Sequence, residues 1–245
     1  MLDYSSPWLI GIVLNSILLV IAWIAPKKLL TPAGYFHAWI LGVLVWGTLQ
    51  GKGYLIVMFY FLVGSAVTKV GIKQKEKAGI AEKRSGARGP ENVWGSALVA
   101  SICALLSVFS ESSGQNLFLL AYVASFSTKL SDTCASEIGK VYGKRTFLIT
   151  TLQPVAKGTE GAVSLEGTVA GVVASAGIAI VAWLVGMINL PGIGICILAA
   201  FIATNLESVI GATLQTKFEW LTNEVVNIIN TFIGALVAIM LGLIL

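Results

Sequence analysis

The sequence predicts an all-α fold: a polytopic integral membrane helical bundle of about eight transmembrane helices, with a polar active site at its cytoplasmic face. Three observations lead there. Hydrophobic residues make up 56% of the 245 residues and charged residues only 11%, whereas a soluble domain carries about 25% charged residues. So few charges cannot wet a globular surface, so the apolar stretches must face lipid. The basic residues lie in short loops between those stretches rather than along one exposed face. The net charge of +4 therefore does not mark a nucleic-acid protein.

The apolar segments run roughly from Pro7 to Ala25, Ala33 to Leu49, Tyr54 to Gly71, Val93 to Phe109, Asn116 to Leu130, Ser164 to Met187, Gly192 to Leu214 and Val225 to Leu245. A span needs about 20 apolar residues. The second and fifth are short enough to be half-spans or re-entrant pieces. At the N-terminus, Asp3 precedes the first apolar run, and Lys27 and Lys28 follow it. A secretory signal places its positive charge first, so this helix is read as retained, with its N-terminus outside.

Loop charge tests the assignment, because cytoplasmic loops collect Lys and Arg. With eight spans, the inner loops hold Lys27, Lys28, Lys69, Lys73, Lys75, Lys77, Lys83, Arg84, Arg88, Lys129, Lys140, Lys144, Arg145, Lys157 and Lys217, and the outer loops hold Lys52. One missed or invented span would flip every later loop and destroy this 15-to-1 split. The chain reads as a single transmembrane domain, 1–245, with a basic cytoplasmic loop at 72–91 and a motif-bearing cytoplasmic region at 131–163. Cys103, Cys134 and Cys196 form no C-x-x-C pair, which argues against a disulfide framework or thiolate site. His37 is the only histidine and reads as a packed or interfacial side chain.

Asp132, Glu137, Glu160, Glu166, Glu207 and Glu224 all fall at or near the inner face. Carboxylates contribute little to membrane orientation, so their clustering asks for another cause: a site, or plain solvation of loops. The richest stretch is S-D-T-C-A-S-E-I-G-K-V-Y-G-K-R from Ser131, then P-V-A-K-G-T-E-G-A-V-S-L-E-G-T from Pro154. On a helix continuing from the fifth span, Ala135, Gly139 and Gly143 share one face. That bare stripe admits a neighbouring helix or a phosphate chain. Asp132 and Glu137 sit beside it, with Lys140 and Lys144 along it.

Carboxylates, lysines and glycines together are the inventory of phosphoryl transfer. Magnesium is held by one or two carboxylates plus substrate phosphates. Lysines and backbone N–H groups stabilise the charge on the moving group, and glycines let backbone approach phosphates. The K-G-T-E-G run, with Lys157, Gly158, Glu160 and Gly161, repeats that inventory just before Ser164 and the sixth span. Gly167 and Gly171 form a G-x-x-x-G pair, which reads as helix packing. Neither a Walker A sequence nor a protein-kinase motif set is found.

A third patch comprises Asn205, Glu207, Ser208 and Gln215, followed by Asn223, Glu224, Asn227 and Asn230. The three asparagines after Gln215 share a helical stripe and read equally as ligands or as interhelical glue. Glu207, a carboxylate close to the apolar zone, is a functional candidate. Arg88 and Asn92 close the basic loop, where they can meet a phosphate. The rest of that loop suits anionic head groups.

The strings S-D-T-C-A-S-E-I-G-K and P-V-A-K-G-T-E-G-A-V-S-L-E-G-T resemble the membrane-protein family that includes the plant and cyanobacterial phytyl-phosphate kinases. The likeness extends to R-x-x-x-N-V at Arg88 to Val93, N-L-E-S at Asn205 to Ser208 and N-E-V-V-N at Asn223 to Asn227. A looser likeness reaches dolichol and phytol kinases and membrane cytidylyltransferases. The resemblance implies magnesium and a CTP-type nucleotide. It implies catalytic roles for Asp132, Glu137, Lys144, Lys157 and Glu160. Ser131-Asp132-Thr133 stands where the wider group often has a Gly-Asp pair.

The expectation is a prenyl-phosphate kinase converting phytyl phosphate, or a related isoprenyl monophosphate, to the diphosphate. Asp132 and Glu137, with Glu160 or Glu207, would hold magnesium. Arg88, Asn92, Gly139, Lys140, Gly143, Gly158, Gly161, Ser164, Asn205 and Asn227 would bind the nucleotide or phosphates. Isoprenoid salvage toward tocopherol or phylloquinone is implied, in a cell inner membrane or a thylakoid- or plastid-type membrane. The expected partners are the prenyl-phosphate lipid, the nucleoside triphosphate and membrane lipid, and a homodimer is compatible with the pattern. The runner-up is a CDP-lipid synthase attacking the α-phosphate. A transporter is the third reading, disfavoured because the Ser131 to Gly143 string is not repeated in the other half.

Overall fold

Proline stands in the first turn of four helices, α1 (Pro7–Ile24), α2 (Pro32–Lys69), α4 (Pro90–Phe109) and α7 (Leu190–Ile210), where its absent N–H is not missed. Thr31, Ser164 and Asn189 cap α2, α6 (Leu165–Leu184) and α7 by accepting from the backbone N–H of Gly34, Gly167 and Gly192. The computed structural model describes residues 6–26, 28–82, 86–215 and 217–244. It is completed by α3 (Ile72–Lys77), α5 (Ser112–Tyr142), α8 (Asn223–Ile244) and a π-helical turn, Gly211–Gln215, that prolongs α7. Two short antiparallel strands, β1 (Phe147–Leu148) and β2 (Ala162–Val163), pair Phe147 with Val163. Asp3, Lys27, Lys83, Arg84 and Leu245 lie outside the described residues.

Among the described residues, six helices are long and apolar enough to cross a membrane by length and composition: α1, α2, α4, α6, α7 with its π turn, and α8. The expected second and third spans are two arms of α2, interrupted at Gln50 with φ 51° and ψ −147°. Arg88 shows that these arms are antiparallel. Its carbonyl oxygen stands 2.5 Å from a Cβ built on Gly34, and its Nη2 stands 2.9 Å from one built on Gly64. A straight helix would hold those glycines about 45 Å apart at ~1.5 Å per residue, so the chain turns back at Gln50. The Trp46 and Tyr54 rings, on either side of the turn, meet at 5.3 Å.

The expected fifth span, read as short, is instead part of a 31-residue helix. It is not among the six because polar and charged residues interrupt its apolar character. The reason is its position. α5 is packed by α2, α4, α6, α7 and α8, and those five also touch in sequence around it. Protein rather than lipid surrounds α5, so serine, threonine and charge are tolerated there. α1 stays outside this ring and packs on α2.

Close approach comes from small residues, as membrane packing requires. A Cβ on Gly167 would stand 2.5 Å from the Ala135 carbonyl oxygen, and one on Gly171 would stand 2.8 Å from the Ser131 hydroxyl. The Ala135–Gly139–Gly143 stripe and the G-x-x-x-G pair are thus two sides of the α5–α6 seam. His37 is a packed side chain whose Nδ1 accepts from the Trp94 indole at 2.9 Å, and the three cysteines are buried thiols.

The loops meet at one end of the bundle. Arg88 exchanges backbone hydrogen bonds with Leu29 and Thr31. Gly161 lies against Ser208 and Ala212, and Gln215 donates to Asn223. Lys52 lies at the other end, beside Gly186.

Candidate active site

At the loop end, the ring around α5 encloses a cavity of about 650 Å³. Its floor is α5. Lys129, Asp132, Ser136 and Lys140 follow one another at three- and four-residue intervals, which keeps them on one helical face, and all four line the cavity.

Lys129 is buried and donates to Asp132 Oδ2 at 2.5 Å and to Asn227 Oδ1 of α8 at 2.7 Å. That arrangement satisfies a charge which would otherwise be costly at this depth. Glu207 of α7 is within electrostatic reach of Asp132, Lys129 and Glu160. α5, α7 and α8 thus bring three separate stretches of sequence to one charged centre.

Glu137 has a different environment. Lys75 of α3 and Glu137 are 0% and 2% exposed, and the two form an ion pair. The second oxygen of Glu137 accepts from Lys140 at 3.1 Å, and Lys140 also reaches Glu82 at 3.5 Å. Both oxygens of Glu137 are therefore engaged by lysines, and Lys75 also donates to the Thr68 carbonyl at 2.7 Å. This network ties α3 and the basic loop to α5.

The K-G-T-E-G turn forms the rim. Gly158 and Gly161 adopt φ of 83° and 76°, the left-handed region where glycine is favoured. A Cβ on Gly161 would stand 2.5 Å from the Ser208 carbonyl oxygen, so glycine also permits the turn to dock on α7. Lys157 Nζ donates to the Val141 carbonyl at 3.2 Å, and exposed Glu160 lies beside Gly211. Opposite, the Arg88 guanidinium lies over the Tyr60 and Phe61 rings and donates to the Tyr60 hydroxyl at 2.9 Å.

Of the residues expected from sequence, Arg88, Asn92, Asp132, Glu137, Gly139, Lys140, Lys157, Gly158, Glu160, Gly161, Ser164, Asn205, Glu207 and Asn227 line this cavity. Lys144 and Gly143 do not. Lys144 is exposed beyond the end of α5, and Gly143 is buried against Ser164 as the α5 C-cap. Several of the lining residues also serve local structure. Asn92 caps α4 by accepting from the Gly89 N–H at 3.0 Å, and Asn205 donates to the Phe201 carbonyl at 2.7 Å. The four proposed metal ligands do not form one cluster: among the described residues, no group of three His, Cys, Asp or Glu side chains is close enough to hold a metal.

Lys75, Lys129 and Tyr60 were not singled out from the sequence. Orientation alone explained both lysines. The signal for Lys129 was its position three residues before Asp132 inside an otherwise weakly charged run. Nothing local marked Lys75, whose partner lies 62 residues away.

The model of the integral membrane protein DUF92 family matches residues 15–235. The chain belongs to this family. It is 66% identical over 96% of its length to an uncharacterized membrane protein of Synechocystis sp., covering 91% of that protein. It is 45% identical over 97% of its length to the chloroplastic protein VTE6 of Arabidopsis thaliana, covering 72% of it. An uncharacterized membrane protein of Methanocaldococcus jannaschii is 32% identical over 89% of the chain, covering 88% of that protein. No solved structure matches the chain. As a member of this family, the protein is an integral membrane protein, and its polar cavity sits within an otherwise lipid-facing helical bundle.

Proposed function

We propose that the protein is a prenyl-phosphate kinase. It transfers the γ-phosphoryl group of a nucleoside triphosphate, with CTP preferred, to phytyl phosphate or a related isoprenyl monophosphate. The observation that carries this reading is one cavity where carboxylates, cationic side chains and glycine turns converge at one end of an apolar bundle. The likeness of the Ser131 and Pro154 strings to the phytyl-phosphate kinases supports it, as does the 45% identity to the chloroplastic VTE6.

The donor set suits magnesium bound through a nucleotide. Such an ion takes one or two carboxylates plus substrate phosphates rather than an all-protein cage. Asp132, with Glu207 or Glu160, would hold it, and when bound it supplies charge neutralisation to the triphosphate. Glu137, occupied by two lysines, acts in this reading as a positioning residue for Lys140. Arg88 offers a planar fork that matches a phosphate, and Lys157 and Lys140 act as point charges. The glycine turn at Gly158 and Gly161 lets backbone N–H groups approach the phosphates.

In the reaction, an oxygen of the ionised lipid monophosphate attacks the γ-phosphorus. The bond from that phosphorus to the β,γ-bridging oxygen breaks, and the nucleoside diphosphate leaves with the electron pair. The acceptor is already ionised, so no side chain has to remove a proton. The cationic side chains stabilise the charge gathering on the transferred group.

The test is a turnover assay with purified protein, phytyl phosphate and each nucleoside triphosphate, with and without magnesium. Lipid diphosphate and nucleoside diphosphate in equal amounts are expected. CDP-lipid with released diphosphate would replace this reading with a cytidylyltransferase.

A further inference from the structure

The walls of the cavity are not equivalent at depth. On α6, the lining passes from Thr168 to Val172. On antiparallel α7, it passes from Asn205 to Phe201. Each helix therefore changes from polar to apolar in one turn, in the same direction, away from the loop end. Val172 lies about 10 Å beyond the start of α6 at ~1.5 Å per residue, and Phe201 about 14 Å before the end of α7.

On α2, α4 and α5 the deep lining is sealed: Tyr60, Ser96 and Lys129 are 4%, 5% and 8% exposed. Phe201 is 42% exposed while also lining the cavity. The outer surface beside it carries exposed Val169, Val173 and Leu198, an apolar flank that lipid chains wet. Thr204, next to the polar step on α7, has a buried hydroxyl with no hydrogen-bond partner among the described residues.

We infer that the cavity opens sideways into the bilayer through the α6–α7 seam at Val172 and Phe201. This portal holds the isoprenoid chain of a lipid monophosphate whose phosphate lies in the polar cavity. The inference rests on the kinase reading for the identity of its lipid. A nucleotide is polar along its length and has no use for an apolar exit at this depth. A linear prenyl chain must leave the cavity somewhere in the hydrocarbon zone, and this seam is where the lining becomes apolar, half-buried at Val172 and exposed at Phe201. The Thr204 hydroxyl, one residue from Asn205, is placed to donate to the head group where the chain begins.

The test uses a C20 prenyl monophosphate carrying a diazirine on the isoprene units nearest its phosphate, photolysed with the purified full chain in lipid nanodiscs. Labelled peptides are then mapped by mass spectrometry. Labelling on α6 and α7 around Val172 and Phe201, competed by unmodified C20 prenyl monophosphate, is expected. Labelling confined to α2, α4 or α8 overturns the portal, and so does labelling that excess lipid monophosphate does not compete. In parallel, Val172→Trp should shift the ratio of kcat/KM for C20 and C5 prenyl monophosphates at least tenfold toward the short chain. An unshifted ratio in a folded variant counts against the portal, and the wild-type labelling decides the matter if the variant does not fold. Labelling at the seam without any lipid diphosphate product keeps the portal and removes the kinase reading. Diphosphate formation with labelling elsewhere does the reverse.

Discussion

Lys75 donates to Glu137 in an ion pair that is closed to solvent on both sides, joining the short helix α3 to the motif-bearing end of α5. Breaking a buried pair by removing one partner leaves an uncompensated charge, at a cost of about 3–5 kcal/mol. Glu137 retains Lys140, which places Lys75→Met near the lower end, about 3 kcal/mol. Lys75→Met combined with Glu137→Met should recover part of that loss. Thermal unfolding of the four proteins in one detergent gives the coupling, and strictly additive losses would show that the pair does not act as a unit.

Asp132→Asn preserves size and a hydrogen-bond acceptor for Lys129 but removes the negative charge that a magnesium ion needs. The variant should remain folded and inserted while turnover falls below detection. Near-normal activity at low magnesium would take Asp132 out of the metal site.

Lys157 stands on the cavity rim, with its ammonium group held by the Val141 carbonyl. As a phosphate-binding point charge, it should tolerate arginine in part and methionine poorly. Losing ~3–4 kcal/mol of transition-state stabilisation lowers kcat by about 10²–10³ in Lys157→Met. If kcat per folded molecule and KM for both substrates are unchanged, Lys157 has only a structural role, and the glycine turn loses its case as a phosphate cradle.

The close contact of Gly167 with the Ala135 carbonyl leaves no room for a side chain unless α5 and α6 separate. Gly167→Val should cost about 1–3 kcal/mol through overpacking and lower folded yield. The same change at Gly51, which has open space around it, should be far milder. Comparable melting temperatures for the two variants would refute the close-packed seam.

Cysteine labelling from each side of the membrane should place the loops around Lys77, Gly143 and Trp220 in one compartment. That expectation follows from the loop charge split and from the meeting of those loops at one end of the bundle. A Lys77 loop on the same side as the N-terminus would sink it.

Hydropathy alone established that this chain lives in a membrane, because burial in lipid demands long apolar runs that any reader can count. It also placed most helix ends within a few residues, but it stopped the fifth segment at Leu130, whereas α5 runs on to Tyr142. The lining of the cavity was largely legible for a related reason. Asp132, Lys157, Glu160 and Glu207 are charges beside apolar spans, and such charges are expensive unless used.

Pairwise geometry over long separations was not legible. The fold-back was legible as the break between the runs ending at Leu49 and starting at Tyr54, but its placement on Gln50, a positive φ in a residue other than glycine, carries no composition signal. α5 reads as a weak span because its polar residues face protein, and only the surrounding ring of helices makes that tolerable. Lys75 and Lys129 look alike in a charge count, yet one closes a structural pair with Glu137 and the other joins Asp132 to Asn227. Sequence sets which charges exist and roughly how deep they lie. Which charge meets which is decided by the packing of helices distant along the chain, where burial makes every unpaired group costly and so selects the partner.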